Sequence, residues 1–361
     1  MTSFRRFALA VCVVGMLVQL LLTAYYLGMG HKAAPHHLPV GLLATGEQAE
    51  QVTTMLESES KFEVRNFGSA DALTTAIRER DIYGGLDLTG DQPMLYVASA
   101  AGASAATLLR TTYTTVMQQQ TATELTALAG ESSEITVAQA QALITPPSVT
   151  DVVPLPADDV NGVSLGFLTQ ALSLGGSIAS MGLGRLIPKA RRSWKRGVAH
   201  LGLLILYAIG SAAAVLWSMS WFNVGEGANQ MEMLLIFSLI SLAITGSTAG
   251  AVALIGPAGA LVGIFYFTIG TVISGASILP EFLPTFGRVF GENLPTGAGV
   301  QAVRDNLYFP DAAIGSHLLV LTLYAVIGCL IVLITNILPN RSDRTSEIDL
   351  GITEKATSPS S

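Results

Sequence analysis

The chain is short of charge. Of its 361 residues only 12% are Asp, Glu, Lys or Arg, half are hydrophobic, and the mean hydropathy is +0.52. A water-soluble chain carries about twice that charge. Nineteen Lys and Arg against 26 Asp and Glu leave a net charge of −7, which gives no broad basic face for a nucleic-acid partner. Cysteine is nearly missing too: Cys12 and Cys329 stand alone in apolar runs near opposite ends, which excludes a disulfide framework and a CxxC metal site. Aromatic residues make up only 7%, while 36 glycines suit helices that approach one another closely in a bilayer. No GxxxxGK(S/T) phosphate loop and no GxSxG nucleophile turn occurs, so neither an enzyme nor a bound cofactor is expected.

What the chain does have is long apolar runs. Six are read at residues 7–29, 160–187, 198–221, 231–254, 256–278 and 314–337. The first exceeds the apolar core of a cleavable signal peptide, and no small-x-small site closes it. Between 243 and 266 the sequence is almost unbroken and apolar. A tight turn at Gly256–Gly259 divides it, because Pro257 blocks helix continuation and glycine permits reversal; the alternative is one long kinked helix.

The distribution of basic residues orients these runs. Arg5 and Arg6 precede the first, six bases and no acid lie between 185 and 196, and Arg341, Arg344 and Lys355 follow the last, whereas the loop 222–230 carries Glu226 and no base. Cytoplasmic loops collect Lys and Arg, so the pattern predicts both termini in the cytoplasm. The fold class expected is a polytopic α-helical membrane protein of six transmembrane helices, with an extracytoplasmic α/β domain inserted between helices 1 and 2. Its divisions are 1–29, the N-terminus and first span; 30–159, the insert; 160–279, spans two to five; 280–313, an outer segment; 314–338, the sixth span; and 339–361, a polar cytoplasmic tail.

The insert holds 16 acidic and 6 basic residues, a balance of −10. Alternating and helical periods predict strands at 38–44, 62–67, 82–86 and 94–98 and helices at 46–56, 70–80 and 100–128, a small α/β unit with one core layer. His31, His36 and His37 follow the first span. His36 and His37 beside a carboxylate are read either as metal ligands or as plain linker residues, and the second reading carries no metal site.

Ionisable residues inside a span mark ion or proton paths; Glu232 and His317 sit at span edges, and the interiors are read as holding none. Small residues are plentiful there. Gly259, Gly263 and Gly270 are candidate helix-packing positions, the first two forming a GxxxG step. In the segment 280–311, Phe282, Leu283, Phe286, Val289 and Phe290 oppose Arg288 and Glu292, and Ala302, Leu307 and Tyr308 repeat the theme beside Arg304 and Asp305. This predicts one or two short amphipathic helices lying at the outer surface. Arg288, Arg304 and Asp305 are candidates for an outer gate or substrate contact, or simply a solvated polar face.

One span, a large insert, then five spans with short amphipathic helices before the last is a recognisable order. With DVVPLP at 151–156, Asp158 and Gly162, Gly256–Gly259 (GPAG), Ser274 and Gly275 through Leu279 and Pro280, LPTGAG at 294–299 and RDNLYF at 304–309, the chain resembles the ABC-2-type permease superfamily, in particular its YhgE/Pip-like or DUF3533-type bacterial branch. The resemblance implies a membrane subunit that dimerises and works with a separate ABC ATPase to export amphipathic or envelope material. It also implies that the loop after span two contacts that ATPase, which names Lys189, Arg191, Arg192, Lys195 and Arg196. Read from the residues alone, the same bases face anionic lipid of the bilayer, at about 1 kcal/mol each. A non-transporting envelope scaffold, whose insert binds a protein or the cell wall, is the other reading.

Overall fold

A computed structural model of the protein describes residues 2–31, 33–57, 60–90, 92–131, 148–183 and 193–337. Helix α1 (Thr2–Gly30) leads into a five-stranded sheet: β1 (Leu38–Leu43), α2 (Gly46–Glu57), β2 (Phe62–Asn66), α3 (Ala70–Arg78), β3 (Gly84–Asp87), β4 (Met94–Val97), α4 (Ala103–Glu131) and β5 (Ser148–Asp151). The order across the sheet is β2-β1-β3-β4-β5. Strand β1 runs parallel to β2 and β3, β3 and β4 are antiparallel, and β4 and β5 are parallel.

Strand β1 is central and buried at every position except Pro39, as expected of a strand covered on both faces. Helix α3 starts where the Ser69 hydroxyl accepts the Ala72 N–H and turns Leu73, Ala76 and Ile77 inward, one face at helical spacing. Four strands and three helices fall where the sequence periods predict them. Strand β5 was not predicted: it has four residues, three of them exposed, directly after Pro146 and Pro147, and so carries no two-residue alternation to read.

The sheet's core does not close on itself. Leu279, Phe282 and Phe309, from far along the chain, are buried within the same cluster as Leu38, Ile77, Ile82 and Val97.

The helical part comprises α5 (Ser164–Leu183), α6 (Trp194–Ser220), α7 (Gln230–Ile255), α8 (Ala260–Phe265), α9 (Thr285–Glu292), α10 (Pro295–Tyr308) and α11 (Gly315–Ile337). Among the described residues three helical stretches are long and apolar enough to cross a membrane: Trp194–Ser220, Gln230–Gly270 and Gly315–Ile337. Large apolar side chains such as Leu20, Leu206, Trp217, Leu235, Leu254 and Leu319 point outward on these and neighbouring helices, far more exposed apolar surface than a water-soluble monomer shows. Helix α7 is the hub, packed by α5, α6, α8, α10 and, most extensively, α11.

The 41-residue stretch Gln230–Gly270 folds back on itself. The Ser247 hydroxyl lies 3.1 Å from the Tyr266 hydroxyl, whereas 19 residues of straight helix would part them by about 28 Å. Residue 247 lies nine positions before the break at Gly256–Gly259 and residue 266 seven after it, so the two arms are antiparallel. Gly256 has φ of +71°, which glycine adopts freely, and a Cβ at Gly259 would collide with the backbone of Ala251 and Val252. The second arm is shorter than predicted: α8 passes into a π turn at Tyr266–Gly270, and residues 271–278 leave the helix.

The outer segment also differs from its prediction. Phe286 and Phe290 stack at 5.6 Å and are exposed on α9, as an amphipathic helix requires, but Phe282 and Leu283 are buried ahead of it. Helix α10 is not a surface helix: Pro295 through Asp305 are all buried. Gly297, Ala298, Gly299 and Ala302 leave room for neighbours on every side, which the amphipathic reading of its polar residues overlooked.

Candidate functional site

The residues that gather functional groups are those joining the sheet domain to α10. Arg80 follows α3 with φ of +61°, a left-handed conformation that ends the helix and turns its side chain away from the helix surface. Its guanidinium donates to the Asp305 carboxylate and to the Gln301 side-chain oxygen of α10. Only 12% of the Arg80 side chain and 4% of the Asp305 side chain are exposed, and the guanidinium also lies over the Phe309 ring at 6.0 Å.

A second bond runs beside the first. The Tyr83 hydroxyl donates to Glu281 Oε2 at 2.6 Å, and the His36 N–H donates to the Glu281 carbonyl at 2.8 Å. Burial and then the Glu281 carboxylate push Tyr83 well above its ordinary range. Burial opposes charge on Arg80 most strongly, but Asp305, Tyr83 and Glu281 together outweigh it and hold the guanidinium protonated.

Arg304 completes the junction from the other side of α10. Its Nη2 donates to the Gly275 carbonyl at 2.7 Å and its Nη1 to the Gln301 oxygen at 3.1 Å; burial and then Arg80 bring it down to about 10. Gly275 has φ of +84°, and Gln301 Nε2 and Pro280 occupy the space a Cβ would need, so only glycine presents that carbonyl. His317, at the start of α11, approaches Asp305 with Nε2 3.6 Å from the carboxylate. A cleft of about 760 Å³ opens beside these groups, lined by Arg80, Asp81, Glu281, Glu292, Asp311 and His317 among others.

Thus Arg304 and Asp305 are brought together, buried rather than on a solvated face. Arg288 is not with them: it pairs with Glu292 one turn on at 3.3 Å, on the exposed side of α9. Gly263 faces Ser177 of α5, whose hydroxyl donates to its carbonyl at 2.8 Å; Gly270 faces Thr296 of α10; and Gly259 faces α7. Lys195 and Arg196 lie exposed in the first turn of α6, while Lys189, Arg191 and Arg192 lie outside the described residues. His200, which the sequence reading passed over, is buried in α6, near the edge of the predicted span as Glu232 and His317 are of theirs. Among the described residues no group of three or more His, Cys, Asp or Glu could hold a metal ion.

Sequence reasoning missed Arg80, Tyr83, Glu281 and Gln301. The available signal was α10 itself, whose sequence is too polar to span a membrane and too rich in Gly and Ala for a solvated helix. No family model, curated protein or solved structure matches the chain.

Proposed function

We propose that the chain is a multi-pass membrane subunit of ABC-2-permease type, crossing the cell membrane six times with both termini cytoplasmic and the domain 30–159 outside. It acts as a dimer that exports an amphipathic or envelope-related substrate, energised by a separate ABC ATPase. The single observation that carries the reading is the junction itself. Two buried side-chain bonds, Arg80 to Asp305 and Tyr83 to Glu281, fasten the insert to the segment between α8 and α11. A domain that is merely anchored needs no such bonds, whereas one that moves with the membrane helices does.

The hairpin at Gly256–Gly259 supports the crossing number, since it turns one apolar stretch back on itself. Trp194 and Trp217 support the placement of α6. Both are exposed, and 23 residues separate them, about 34 Å of helix against a hydrocarbon core of about 30 Å; tryptophan favours the two interfaces. The basic cluster 189–196 then faces the cytoplasm, where it meets anionic lipid and the ATPase.

Affinity purification of the full chain from native membranes in mild detergent, followed by mass spectrometry, tests this. A P-loop ATPase at stoichiometric amounts, released by Arg191→Glu with Arg192→Glu, is the expected result. Reproducible absence of an ATPase, with an envelope protein held through residues 30–159 instead, overturns it in favour of the scaffold.

A further inference from the structure

Arg304 carries a buried charge with no carboxylate in ion-pairing distance among the described residues. Its two hydrogen bonds, to Gln301 and the Gly275 carbonyl, use two of its five N–H donors. It also forms part of the wall of a cavity of about 220 Å³ lying between the insert and the helices, away from the cleft beside Asp305.

Each remaining polar side chain of the lining is able to donate a hydrogen bond. Ser99, Ser104, Asn161, Ser277 and Tyr308 line the cavity and no Asp or Glu does, in an insert whose balance is −10. Gly102, Ala103 and Ser104 bring the first turn of the 29-residue helix α4 to its edge. The N–H groups of that turn have no partner within the helix and the helix dipole is positive there. The Ser99 hydroxyl accepts the Leu155 N–H at 2.9 Å, which leaves its own hydrogen to donate.

We propose that this cavity is an anion site, taking a phosphate or similarly compact oxyanion between Arg304 and the N-terminus of α4. The oxyanion is either free or the head of an amphiphile. A second cleft, of about 600 Å³, supplies room for a chain: Phe167, Leu168, Val215 and Met219 line it, and Tyr308 borders both spaces. Asp159, at its rim, already accepts the Val163 and Ser164 N–H groups that begin α5, at 2.9 and 3.1 Å. The site goes beyond the permease reading and needs no ATPase, so failure of one leaves the other standing.

Isothermal titration of the purified full chain in a nonionic detergent tests the site, with inorganic phosphate, dodecyl phosphate and dodecyltrimethylammonium as probes. Saturable one-to-one binding of an anionic probe, and none of the cation, is expected. Inorganic phosphate competing fully identifies a free oxyanion; dodecyl phosphate alone saturating identifies a headgroup. Ser104 is exposed in the first turn of α4, where a carboxylate suits the helix. Ser104→Asp therefore keeps the fold, checked by circular dichroism, yet should weaken anion binding about ten-fold or more by charge repulsion. If neither anion saturates at one-to-one, or Ser104→Asp binds as tightly as the parent, the site is wrong.

Discussion

Arg80 and Asp305 stand 225 residues apart in sequence and form an ion pair buried between the sheet domain and α10. Breaking one side of such a pair leaves an uncompensated charge, which costs about 3 to 5 kcal/mol. Asp305→Asn should therefore lower the unfolding midpoint of the detergent-solubilised chain steeply. Replacing both partners, as Arg80→Met with Asp305→Leu, should cost less than the two single changes summed. Additive effects in that double-mutant cycle would show that the two residues do not act as a pair.

The Tyr83 hydroxyl titrates above its ordinary range in the folded state, first through burial and then through Glu281. A group whose folded pKa is raised contributes stability that is complete below its unfolded value and is lost as pH rises beyond it. Between about pH 9 and pH 11 the parent should lose stability more steeply than Tyr83→Phe, which has no phenol to ionise. At neutral pH the same variant should be about 1 to 3 kcal/mol less stable, because the buried Glu281 carboxylate loses its donor. Parallel pH profiles for parent and variant would argue against this coupling.

Gly259 and Gly263 differ in what an added methyl would meet. At Gly263 it approaches the Ser177 Cβ and Oγ at 2.9 Å; at Gly259 it strikes the backbone of Ala251 and Val252, which cannot move aside alone. Gly263→Ala should cost about 1 to 3 kcal/mol, and Gly259→Ala more. Gly182→Ala, with nothing within 4 Å of the new atom, should be neutral or slightly stabilising. Thermal aggregation of the solubilised variants orders the three.

The hairpin at Gly256–Gly259 predicts opposite faces for the two loops that flank α7. Glu226→Cys should react with a membrane-impermeant maleimide in intact cells, and Ala258→Cys only after permeabilisation. Labelling of both from outside would mean that α7 does not cross the membrane as proposed.

Much of the sheet domain was legible because its strands and helices bury one face each and repeat at two or 3.6 residues. Gly256–Gly259 was legible because proline and glycine act locally. The junction was not. Arg80 reads in sequence as one of several charges ending α3, beside Arg78 and Glu79, and nothing near it announces Asp305. Glu281 sits between Pro280 and Phe282 with no period to place it, and α10 is buried on every side, so its polar residues resemble a solvated face until neighbours are known.

The sheet's dependence on Leu279, Phe282 and Phe309 has a bearing on biosynthesis. The last of its own core residues before α4, Ala100 and Ala101, are made some two hundred residues ahead of Phe309. At about 5 to 20 residues per second, the ribosome needs roughly 10 to 40 s to deliver the missing side chains. Through that interval the nascent sheet carries an uncovered apolar patch. A chain truncated between Ile255 and Leu279 should therefore be held by chaperones or degraded, although every strand it needs has already been synthesised.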